Sequence, residues 1–154
     1  INPDYRSALE KKGLVCTDTL LRTDPERCLE CATVCECCAD VCPNRANLAI
    51  QVPGMRMRQI IHVEGLCNAC GNCAPLCPYD SAPYREKFTL LGGAQERAGS
   101  QNDGFLLLDA AAQRYRVRLD GREADYLVED LACGLPEGIR ALILAVSRSH
   151  AYLL

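Results

Sequence analysis

Four cysteines in eleven residues, followed at once by a proline, constrain this chain more than any other feature. The run "CNACGNCAPLCP" places Cys67, Cys70, Cys73 and Cys77 at the spacing C-x2-C-x2-C-x3-C and ends on Pro78. Three cysteines so close together make a loop tight enough to wrap three irons of one [4Fe-4S] cube, with the intervening amides turned toward sulfur and Gly71 easing the bend. In two-cluster proteins with this spacing the fourth cysteine ligates the other cube, and Pro78 ends the turn that carries it. One such run leaves each cube a ligand short, so a second run is required.

The second run lies upstream, in "CLECATVCECCADVCPNRA". Cys38, three residues, Cys42 and Pro43 repeat the ending Cys73, three residues, Cys77 and Pro78, which marks an internal duplication. The start of this run is irregular. One alignment takes Cys28, Cys31 and Cys38 as its loop ligands, with an insertion after the second; the other takes Cys31, Cys35 and Cys38. Cys37 is the weakest candidate, because its neighbour already holds the motif position. With ligands exchanged between runs, Cys42 completes the cube of Cys67, Cys70 and Cys73, and Cys77 completes the cube of the first run.

Composition separates this reading from its rivals. Of the 12 cysteines, only Cys133 falls beyond Cys77, whereas a secreted disulfide scaffold spreads its cysteines through a short chain. Zinc takes four ligands in separated pairs rather than one continuous run, although a zinc-binding interaction module remains the competing class. The formal charge of minus 3 lacks the basic footprint of a nucleic-acid binder. No apolar run has the roughly 20 residues needed to span a bilayer, and the N-terminus lacks a signal pattern, so a soluble, cytoplasmic chain is expected. Neither a G-x-G-x-x-G nor a G-x4-G-K-S/T loop is present, and no catalytic site is expected in this segment. Two anionic clusters add to the negative charge, so partners basic around the electron exit are expected.

The sequence predicts an α+β chain: a two-[4Fe-4S] ferredoxin-like pseudo-twofold domain over residues 17–84, an N-terminal helical lead-in over 1–16 and a small accessory lobe over 85–154. The lead-in helix runs from the Asn2 cap and Pro3 to Gly13. Thr19 to Arg22 pairs with Ser81 to Tyr84, and Leu48 to Val52 with Ile60 to Val63. Pro53 to Gln59 links the second pair, with Arg56 and Arg58 alternating with Met55 and Met57. In the lobe, "GFLLLD" and "RYRVRL" read as strands and Asp120-Gly121 as a hairpin turn. A helix after Pro136 carries Ile139, Leu142, Ile143 and Val146 on one face. Gln95 to Asp103 reads as a polar connector. His62 reads as a satisfied structural histidine in a strand, His150 as exposed, and Cys16 and Cys133 as buried free thiols.

Residues 17–84 resemble the two-cluster bacterial ferredoxins through "CNACGNCAPLCP" and "CADVCP". More narrowly, "NPDYRSALEKKGLVCTDTLLRTDPERCLEC", "VCPNRAN", "LCNACGNCAPLCPYDSAPYREKFTL" and "NDGFLL" resemble the C-terminal end of the large oxidoreductases of the selenate reductase iron-sulfur subunit family. That family is similar to the glutamate synthase small subunit and to dihydropyrimidine dehydrogenase. The resemblance implies a domain of a longer polypeptide, which the absence of an initial Met also suggests, with an FAD and NAD(P)H module upstream. It further implies electron flow between flavin, clusters and a redox partner, with a molybdenum hydroxylase and purine breakdown as the context. A stand-alone ferredoxin-type carrier is the alternative.

Overall fold

The computed structural model describes residues 36–55, 58–77 and 80–154. The lead-in helix, the Thr19 to Arg22 strand, Cys16, Cys28, Cys31, Cys35, Arg56, Met57 and Pro78 lie outside the described residues.

Four helices and six strands are described: α1 (Cys37–Asp40), β1 (Asn47–Ile50), β2 (Gln59–Val63), α2 (Pro83–Glu86), β3 (Thr89–Leu90), α3 (Ala94–Gly99), β4 (Gly104–Asp109), β5 (Arg114–Leu119), β6 (Arg122–Leu127) and α4 (Glu137–Ser149). The strands form one mixed sheet in chain order. β1 and β2 are antiparallel, β2, β3 and β4 are parallel, and β4, β5 and β6 are antiparallel.

The predicted pairing of the Leu48 and Ile60 segments is present as β1 and β2, with Leu48 opposite Ile61. β4 and β5 coincide with "GFLLLD" and "RYRVRL". Asp120 and Gly121 join β5 to β6 with φ of 51° and 75°, the doubly left-handed turn that matches strand twist. Two readings are corrected. Ser81 to Tyr84 is no strand, because Pro83 opens α2, where its missing N–H is no loss. Gln95 to Asp103 is not a plain connector, because α3 occupies its first half. β3 ties β2 to β4, so strands on either side of residue 85 share one sheet.

Side-chain alternation gives this sheet two different faces around β2, whose five residues are all buried. Ile61 and Val63 point to the main core with Ile50, Phe105, Tyr115 and Val117, which α4 covers through Ile139, Leu142, Ile143 and Val146. Ile60 points the other way, into a satellite core with Cys38, Cys73 and Ala49. His62 shares the parity of Ile60 and lies on that cysteine face. The sheet thus separates a helix-covered side from a cysteine-bearing side.

His62 gives the fold a pH dependence. Its ring is 1% exposed, and burial pushes its pKa down to about 4 from the ordinary 6.5. Between those values the unfolded chain binds a proton that the folded chain refuses, so stability is full above about pH 6.5 and falls as the pH drops. The expected loss approaches about 3 kcal/mol near pH 4. Urea midpoints at pH 7 and pH 4.5 check this, and His62→Gln should flatten the difference.

Candidate metal centre

Two loops leave the cysteine face of the β1–β2 hairpin and meet above it. The first begins with α1, where the N–H groups of Asp40 and Val41 donate to Glu36 and Cys37 carbonyls, and then turns so that Arg45 N–H reaches the Cys42 carbonyl at 3.2 Å. The second follows β2 through a 3-10 turn at Glu64–Leu66. Its bends require left-handed backbone at Ala69, φ 54°, and Gly71, φ 75°.

These loops bring Cys42, Cys67, Cys70 and Cys73 to the walls of one small cavity of about 10 Å³, with Asn47 and His62 among its other walls. This is the set that ligand exchange between the two runs groups together. Cys38 is buried beside Cys73 in the satellite core, whereas Cys77 is half-buried; neither lines the cavity. Cys37 is exposed. Among the described residues, Cys37, Cys42, Cys67, Cys70, Cys73, Cys77 and Cys133 are free thiols. Cys133 is half-buried in a loop rather than buried, because the surrounding turn exposes Leu131. His150 is likewise half-buried, with its ring 5.9 Å from that of Tyr152.

The electrostatics suit anionic sulfur once a cation is present. Burial pushes the Cys67 thiol up, which holds it protonated in the absence of metal; its bond from Ala69 N–H acts in the opposite direction, and Glu64, Cys42 and Cys73 add to the rise. Backbone N–H groups donate to Cys42 Sγ from Ala46 at 3.2 Å and to Cys67 Sγ from Ala69 at 3.3 Å. Such bonds favour the thiolate form that a metal needs. Asn68 Oδ1 accepts from Cys70 N–H at 3.2 Å and stiffens the loop.

Among the described residues no group of three or more His, Cys, Asp or Glu side chains converges closely enough to hold a metal ion. The four cysteines ring the cavity instead. A single zinc needs sulfurs drawn within about 3.8 Å of each other by Zn–S bonds of about 2.3 Å. A cube gives each cysteine its own iron and spreads the ligands around a body. Four thiols on the walls of one cavity are the donor chemistry that such a cluster takes.

His62 is only half satisfied. Its Nδ1 lies 2.9 Å from Asn47 Oδ1, but Nε2 is buried without a hydrogen-bond partner among the described residues, and the Glu64 carboxylate stays 3.8 Å away. Reading the sequence did not connect Asn47 or His62 to the cysteines. The one signal was an Asn opening a strand, where that residue is disfavoured.

The fold and site together define a mixed α/β chain with a cysteine-walled cavity on one sheet face. The chain is similar to the protein named "Putative oxidoreductase YgfK" of Escherichia coli (strain K12), with 47% identity over 106 residues, and to the protein of the same name from Escherichia coli O157:H7 at the same level. The match covers 68% of this chain and 10% of each relative. No family model matches the chain, and no solved structure matches it. No helix among the described residues is long and apolar enough to cross a membrane.

Proposed function

We propose that this chain is an electron-transfer segment that holds two [4Fe-4S] clusters. The observation that carries the reading is the meeting of Cys42, from one loop, with Cys67, Cys70 and Cys73, from the other, around a single cavity. Cys38 and Cys77, left out of that cavity, would join Cys31 and either Cys28 or Cys35 at the second cluster. When bound, the clusters supply reversible one-electron storage, at a potential set by burial and by hydrogen bonds to sulfur. The residues of the chain do the rest. Four thiolates hold the cluster, N–H donors from Ala46 and Ala69 stabilise sulfur charge, and Ile60 with Ala49 gives Cys73 an apolar backing.

The relatives' name supports redox work, and their much greater length suits a relay inside a larger reductase. In this reading the chain exchanges electrons with an upstream module carrying FAD and NAD(P)H in the same polypeptide, of the selenate reductase-like type. Delivery then runs to a partner such as a molybdenum hydroxylase in the cytoplasm. The rim suits close docking: no charged residue stands between Glu64 and Asp80, and Leu66 and Leu76 are 44% and 56% exposed.

Anaerobic purification tests the proposal. The expected product is brown, bleaches with dithionite and contains about eight irons per chain. A colourless protein with stoichiometric zinc overturns it in favour of a structural zinc module.

A further inference from the structure

We propose that Asn47 and His62 form a positioning pair that couples the wall of the cysteine cavity to the turn bearing Cys38 and so sets the reduction potential of the cluster there. The inference rests on the iron-sulfur reading above.

The two residues stand opposite each other in the β1–β2 register and both wall the cavity. They are 2% and 1% exposed, on a sheet face otherwise built from Ala49 and Ile60. Placing an amide and an imidazole there carries a desolvation cost that an apolar pair avoids, so their hydrogen bonds must be specific.

The bonds form a directed chain. Asn47 Nδ2 donates to the Cys38 carbonyl at 3.0 Å, which fixes the amide and leaves Oδ1 as an acceptor. His62 Nδ1, 2.9 Å from Oδ1, must therefore carry the proton. In the neutral ring Nε2 keeps its lone pair and has no hydrogen-bond partner among the described residues. The ring thus presents a fixed dipole in the cavity wall. An adjacent chain of bonds fixes the ligand loop itself: Val63 N–H donates to Ala46 carbonyl at 2.7 Å, and Ala46 N–H donates to Cys42 Sγ.

A fixed dipole beside a redox group favours one charge state over the other. Removing it should shift the potential without removing a ligand. A residue of merely structural importance would change stability and leave the potential alone.

The test uses the full chain, iron-loaded and handled anaerobically, in the wild type and in the His62→Leu, His62→Gln and Asn47→Asp variants. Iron and sulfide per chain, electron paramagnetic resonance of the reduced state and the two midpoint potentials are measured. His62→Leu should keep wild-type iron yet change one midpoint by at least tenfold in its equilibrium, which is 59 mV for one electron. Its resonance should change for the same cluster. His62→Gln, which can still donate to Asn47, should reverse at least half of the shift. Asn47→Asp, which loses the donor to Cys38, should shift the same midpoint and leave the other in place. Unchanged midpoints in His62→Leu with full iron overturn the proposal, as does a shift that His62→Gln leaves uncorrected. If His62→Leu fails to load iron, normal loading of His62→Gln with a wild-type midpoint supports the pair, and failure of both variants overturns it. A wild-type chain that takes up no iron overturns the iron-sulfur reading itself, an outcome visible before any variant is compared.

Discussion

Cys73→Ser is expected to remove about half of the iron and to lower the thermal midpoint sharply, the largest effect of any single substitution in this chain. Cys73 has two roles at once. It lines the cavity with Cys42, Cys67 and Cys70, and at 7% exposure it also packs against Cys38 and Ile60. Serine removes the thiolate and buries a hydroxyl in an apolar contact, so ligation and packing fail together. Metal binding contributes directly to folding free energy, which makes a lost cluster a lost part of the fold. Cys133→Ser is the control, because that thiol has no place at the cavity. Iron and sulfide analysis with thermal unfolding of both variants decides the matter. Full iron in Cys73→Ser, or half-loss in Cys133→Ser, would show that the ligands have been misassigned.

What could be read from the sequence was local, and what escaped depended on distant partners. The α4 face at Ile139, Leu142, Ile143 and Val146 is a single helical stripe, and all four residues are buried. The Asp120-Gly121 turn is equally local. β6, by contrast, spells "READYL", with hardly any buried side chain and no apolar alternation. It is a strand because β5 lies beside it, with Arg116 donating to Asp125 at 2.7 Å and Arg118 to Glu123 at 2.8 Å. β3 has only two residues, too few for any periodicity to register, yet it joins the two parts of the sheet.

The candidate site divides in the same way. The spacing of Cys67, Cys70 and Cys73 announces itself within one loop, and the repeat of Cys-x3-Cys-Pro pointed to Cys42 from the other. The partnership of Asn47 with His62 depends on the β1–β2 register, since a slip of one residue would turn both side chains to the opposite face.

The seam between β3 and β4 yields the second large effect. Gly104→Ala is expected to destabilise the chain by about 4 kcal/mol or more, beyond the range of ordinary overpacking, because the obstacle is backbone. A Cβ at Gly104 would lie inside the contact radius of the Thr89 carbonyl oxygen, with the Thr89 carbonyl carbon at 2.9 Å and Cα at 3.1 Å. Thr89 cannot retreat. It is fully buried, its N–H donates to the Asp103 carbonyl at 2.9 Å, its Oγ1 accepts from Asn102 Nδ2 at 3.0 Å, and the next turn of the ladder holds Leu91 N–H on Phe105 at 2.9 Å. Relief therefore requires β3 and β4 to part, which would divide the cysteine-bearing hairpin from β4, β5 and β6. Gly99→Ala is the control: a Cβ at Gly99 meets nothing within 4 Å, and alanine at the end of α3 should be neutral or stabilising by up to about 1 kcal/mol. Urea unfolding of both variants measures the difference. A loss below about 1 kcal/mol for Gly104→Ala would mean that β3 and β4 do not pack as closely as their register requires.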